Sequence, residues 1–143
     1  MKLRSYSFPL AANLESLALL GAALQEFFQG APPDALFQLE LAANEAFSNI
    51  VRHGQCGAHP VRVTLARKPR YLEVVLLDRG RPIPAAALQP MAPDPQRDDP
   101  QSWPEHGMGI LLIRQMTDEY RYRPSGMGNE QRLIKYVLPR RQS

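Results

Sequence analysis

The hydrophobic positions of the chain change period several times, and each change marks an element. Lys2 to Phe8 alternates polar and apolar side chains up to Pro9, the pattern of a short strand near a sheet edge. From Asn13 to Phe28 the spacing becomes helical, with Leu14, Leu17, Gly21, Leu24 and Phe28 on one stripe, Asn13 as N-cap and Gly30 as the stop. Leu19, Leu20 and Phe27 load its other faces, more apolar surface than a helix with one solvated side needs. Deep burial and a partner or homodimer surface both account for that excess. Ala31-Pro32-Pro33-Asp34 then opens a second helix, whose stripe of Leu36, Leu39, Ala43, Phe47 and Ile50 runs to Gly54.

Two strand-like runs follow, Val61 to Arg67 and Tyr71 to Asp78, joined through Lys68-Pro69-Arg70 as an antiparallel hairpin. Leu72 to Leu77 is apolar on both faces, which predicts a central position in the sheet. Gly107 to Asp118 reads as a third helix. Tyr120 to Pro124 and Gln131 to Leu138 read as closing strands around Ser125-Gly126-Met127-Gly128-Asn129. Together these elements predict an α+β fold: a two-layer α/β sandwich whose mixed, mostly antiparallel sheet of about five strands carries three helices on one face.

Composition refines this picture at one place. Seven of the fourteen prolines fall between Pro82 and Pro104, together with Asp94, Arg97, Asp98 and Asp99. Regular structure cannot persist there, and so long a loop inside a compact domain points to disorder or to a functional lid at about residues 82–106. The chain of 143 residues has the length of one domain, 1–143. Its 17 basic and 14 acidic side chains are interspersed, giving +3, without the clustered cations of a nucleic-acid surface. Cys56 is the only cysteine, which excludes an internal disulfide. No apolar run approaches the roughly 20 residues that span a bilayer. The N-terminus carries no signal-peptide core, so the expectation is a cytoplasmic protein without direct nucleic-acid or membrane contacts.

Three separated segments carry candidate chemistry. On the second helix, Glu45 and Asn49 stand four residues apart on one face, opposite the core stripe by helical angle. That arrangement is either an ordinary solvated face or, beside a nucleotide, a magnesium ligand one turn from a proton acceptor. At the end of the central strand, Asp78-Arg79-Gly80 is either a turn former or an adenine reader. In the second case its carboxylate accepts from the exocyclic amine, and Gly80 admits the ring. Gly107-Met108-Gly109 opens the third helix, either as a flexible junction or as a phosphate site of exposed backbone N–H groups. His53, His59 and His106 follow no metal-ligand spacing, and no cysteine pair supports a metal enzyme.

Glu45-x-x-x-Asn49-x-x-x-His53, Asp78-x-Gly80 and Gly107-x-Gly109, in that order, resemble the N, G1 and G2 boxes of the GHKL (Bergerat-fold) ATPases. The short length, the lack of a phosphoacceptor-histidine segment and the form of the N box narrow the resemblance to the anti-sigma factor serine kinases of bacterial partner switching. That resemblance implies ATP and Mg2+ as ligands. It also implies a STAS-domain anti-sigma factor antagonist as substrate, and a sigma factor or another regulatory target as the sequestered partner. It makes Glu45 the general base, Asn49 the magnesium ligand, Asp78 and Gly80 the adenine contacts, and Gly107, Met108 and Gly109 the phosphate contacts. Arg52 and His53 match the basic end of the N box, near phosphate, and equally suit a helix terminus that favours positive charge. Where relatives place a threonine near the start of the last strand, this chain has Asn129-Glu130-Gln131-Arg132. A non-catalytic ATP-dependent switch and a simple ATPase are the competing functions.

Overall fold

A computed structural model of the chain describes residues 4–88 and 108–137. The elements are β1 (Ser5–Leu10), α1 (Ser16–Phe27), α2 (Pro33–His53), β2 (Val61–Arg67) and β3 (Tyr71–Asp78). A 3-10 turn at Ala85–Leu88, α3 (Met108–Met116), β4 (Glu119–Ser125) and β5 (Gly128–Tyr136) follow. The strands form one sheet in the order β1-β2-β3-β5-β4.

Every neighbouring pair in that sheet is antiparallel, where a mixed, mostly antiparallel sheet was expected. The connections explain the difference. Two hairpins, β2–β3 and β4–β5, are antiparallel by construction. Between β1 and β2 the chain crosses two helices, and an even number of crossings returns it to the end where it left. The excursion from β3 through α3 and β4 likewise brings β5 back against β3.

The central place of β3 follows from its composition. Its period of two turns Leu72, Val74 and Leu76 toward the helices, where all three are fully buried with Val61, Val63, Leu65 and Leu133 of the flanking strands. Asp78 continues that helix-facing row. The opposite row includes Glu73, which is also buried, and Arg132 Nη1 donates to its Oε2 at 2.8 Å. A carboxylate in a largely apolar strand is tolerated because a cross-strand cation satisfies it.

All three helices pack on one face of the sheet. Leu39, Ala43 and Phe47 of α2 lie over its middle, with Leu20, Leu24 and Phe28 from the α1 side and Ile113 of α3 closing the core. Each large side chain so buried contributes about 1.5–3 kcal/mol. The first helix differs from the predicted stripe at its start. Asn13 caps a turn ahead of α1, its Oδ1 accepting from Ser16 N and Ser16 Oγ at 3.0 Å each. Leu14 therefore precedes the helix and is 50% exposed, and Leu20 takes its place in the core. Leu19 stays outside, so burial absorbs part of the apolar excess and not all of it. At the far end of α2, Gly54 N donates to Ile50 O at 2.8 Å and ends the helix as predicted.

Candidate functional site

The site is assembled from the last turns of α2, the end of β3 and the start of α3. On α2, Glu45 and Asn49 were placed opposite the core stripe, either on a solvated face or beside a nucleotide. The structure covers that face with the first turn of α3. A Cβ built on Gly109 would lie 2.6 Å from Glu45 Oε1 and 3.0 Å from Asn49 Nδ2, so only a glycine lets the two helices meet there undisturbed. Two motifs far apart in sequence thus touch through one missing side chain.

At the end of β3, Asp78 is 3% exposed, and its Oδ1 accepts from Gly80 N at 2.8 Å and from Asn129 Nδ2 at 3.1 Å. Gly80 was expected to leave room for a ligand ring. Instead the space of its missing Cβ is taken by the C-terminus of α2. A Cβ there would overlap the Gly54 carbonyl and stand 2.8 Å from Cys56 Sγ. Arg81 N donates to that same carbonyl at 2.5 Å, so the turn after β3 is sewn to the end of α2. Burial beneath this turn pushes the Cys56 thiol above its ordinary pKa; the Asp78 charge adds to the rise, against the Arg79 and Gly80 N–H groups.

Between these parts lies a cleft of about 390 Å³. Asn49, Ile50 and His53 of α2, with Gly54 just after it, form one wall, Asp78 closes an end, and Gly109 and Ile110 of α3 form another wall. Arg81, Pro82, Ile83, Pro84 and Ala87 line it from the segment after β3. Of the residues singled out from the sequence, Asn49, His53, Asp78 and Gly109 therefore reach the cleft directly. Glu45 abuts it through Gly109, and Gly80 stands behind Asp78. Arg52 turns back along α2, its Nη2 3.4 Å from Glu45 Oε1 and its Nε 3.4 Å from Ser48 O. Met108 begins α3. Gly107 and the greater part of the proposed lid lie outside the described residues.

Sequence reasoning gave no role to four further contributors. Ile83 and Ile110 give the cleft apolar walls, which a planar base needs and which no short motif announces. Tyr122 of β4 accepts a hydrogen bond from Ile83 N at 2.7 Å and so anchors the segment after β3. Burial raises the Tyr122 hydroxyl pKa above its usual value, with a further push from Asp78, while the Ile83 N–H lowers it. Asn129, noted only as a departure from the family pattern, is buried against Asp78.

Residues 10–135 match the model of the histidine kinase-like ATPase domain. The chain belongs to this family. Its resemblance to GHKL ATPases is thus a membership, and the family implies ATP as the ligand of the domain. Among solved structures, it is similar to the RsbU and RsbW domains of Rv1364c from Mycobacterium tuberculosis, with TM-score 0.68 and 17% identity over 96% of this chain. It spans 34% of that longer chain. It is also similar to the mycobacterial sensor histidine kinase MprB, with TM-score 0.50 and 18% identity over 73% of each chain. At these identities the likeness shows the fold. No curated protein sequence matches it.

The cleft of this ATPase domain fits such a ligand on its own geometry. Asp78 Oδ2 has no hydrogen-bond partner among the described residues, which leaves an acceptor at the wall. Asn49 brings an amide beside Gly109, where the backbone at the start of a helix favours anions. No helix among the described residues is long and apolar enough to cross a membrane.

Proposed function

We propose that this domain is a serine protein kinase of the partner-switching kind. In this reading it binds ATP with magnesium and phosphorylates a serine on a STAS-domain anti-sigma factor antagonist. It holds a sigma factor or another regulatory target until that antagonist intervenes. The observation that carries the reading is the contact of Gly109 with both Glu45 and Asn49, in a cleft that ends at Asp78. The likeness to a fold that includes an RsbW domain supports it.

The residues divide the work by chemistry. Asp78 accepts a hydrogen bond from the adenine amine, and Ile50, Ile83 and Ile110 pack the ring. The start of α3 faces the phosphates with backbone N–H groups. The Asn49 side-chain oxygen would hold magnesium, which would supply charge neutralisation on the phosphates. Glu45 accepts the proton of the serine hydroxyl. The serine oxygen forms its bond to the terminal phosphorus while the bond to the bridging oxygen breaks, and ADP leaves with that electron pair.

The test is transfer of labelled phosphate to a STAS-domain protein. Glu45→Ala is expected to keep ATP affinity within about threefold while transfer falls by about 10²–10⁴-fold, the usual share of a general base. Transfer at the wild-type rate would remove Glu45 from the role. One observation favours a second reading, a non-catalytic ATP-dependent binding switch: Glu45 is engaged by Arg52 at 3.4 Å. That reading predicts ATP-dependent partner capture with no label on the partner.

A further inference from the structure

We infer that Asn129 is a positioning residue for nucleotide specificity: its amide aims the Asp78 carboxylate at an exocyclic amine. The inference rests on the reading of Asp78 as the base-recognising group, and it concerns how that group is held.

Asp78 and Asn129 are paired residues of β3 and β5, and they are 3% and 2% exposed. The Asn129 side-chain nitrogen has two hydrogens and meets two acceptors, Asp78 Oδ1 at 3.1 Å and Gly80 O at 2.9 Å. Because both partners are acceptors, the amide has only one orientation that satisfies them. Gly80 N adds a second donor to Oδ1 at 2.8 Å. One carboxylate oxygen is thus engaged by two donors, and the strand, the turn and the side chain are locked to one another. Oδ2 is left without a partner among the described residues, on a side chain that lines the cleft.

The residue type matters at this point. A hydroxyl side chain has one hydrogen and serves only one of the two acceptors. An aspartate has no donor and sets a like charge against Asp78. Leucine satisfies neither acceptor and leaves the Asp78 carboxylate held by the Gly80 N–H alone, a single donor about which it can turn. Asparagine alone among these holds the carboxylate and the Gly80 carbonyl together.

The proposal is tested by calorimetry on the full chain with two nucleotides, ATP and purine riboside triphosphate, which lacks the exocyclic amine. Wild type is expected to bind ATP about 10- to 100-fold tighter, the discrimination of a hydrogen bond to a charged group. Asn129→Leu is expected to reduce that ratio to within about threefold, mainly by weakening ATP. Asn129→Thr, which keeps one donor, is expected to fall between the two and guards against a Leu variant that does not fold. If either folded variant weakened both nucleotides equally and kept the wild-type ratio, Asn129 would be a structural tie and the inference would fail. If wild type itself showed no preference for the amine, the assignment of Asp78 would fail first, and this inference with it.

Discussion

At the scale of single residues, the glycines of the motifs divide by what stands across from them. The missing Cβ of Gly80 is filled by the backbone carbonyl of Gly54, which cannot rotate away. The missing Cβ of Gly109 is faced by the ends of Glu45 and Asn49, which can. Alanine at the two positions should therefore act differently. Gly80→Ala is expected to destabilise the fold by about 1–3 kcal/mol, the range of overpacking in a closed site, read as a lower midpoint in urea. Gly109→Ala is expected to leave the midpoint nearly unchanged and to weaken ATP binding about tenfold or more, because Glu45 and Asn49 must turn aside. Equal losses of stability in both variants would contradict this division. Spacing in the sequence picked out both glycines, but it could not tell them apart. A motif gives the order of residues along one chain, whereas the role of a glycine depends on the segment packed against it.

At the scale of elements, the long periodic segments were legible because burial on one side imposes a period. The α2 stripe, the hairpin from Val61 to Asp78 and the edge position of β1 all follow from that pattern. The start of α1 was misplaced because Leu14 continues the helical spacing, while Asn13 closes a turn before the helix begins. The short β4 was read as a strand, yet nothing in its alternation distinguished Tyr122 from an ordinary inward tyrosine. Its hydroxyl is the only side-chain partner among the described residues that holds the backbone of Ile83, at 2.7 Å. Removing it should free the entry to the cleft without disturbing the core. Tyr122→Phe is expected to increase hydrogen exchange at Ile83 and its neighbours about tenfold and to weaken ATP binding by a similar factor, as loss of one hydrogen bond implies. Unchanged exchange at Ile83 would mean that the segment is held by packing alone.

At the scale of the whole molecule, function depends on closing three distant segments around one space. The sheet order β1-β2-β3-β5-β4 does this by setting β5 between β3 and β4, which brings Asn129 to Asp78 and Tyr122 to Ile83. That order was not readable from one sequence, since hairpin signals identify neighbours but not which strand of a hairpin joins the older sheet. A space closed by α2, β3 and α3 has a thermodynamic consequence: a ligand there binds the folded chain only, and so stabilises it. ATP at about 100 times its dissociation constant contributes about 2.7 kcal/mol. For a domain of this size that corresponds to a rise of about 5–10 °C in melting temperature. The rise should fall to about half or less in Asp78→Ala, which loses the acceptor at the wall of the cleft, and be preserved in Glu45→Ala, which loses only proton transfer. The two variants together separate recognition from chemistry. A wild-type chain whose melting temperature ignored ATP and magnesium would show that the three segments meet around no nucleotide.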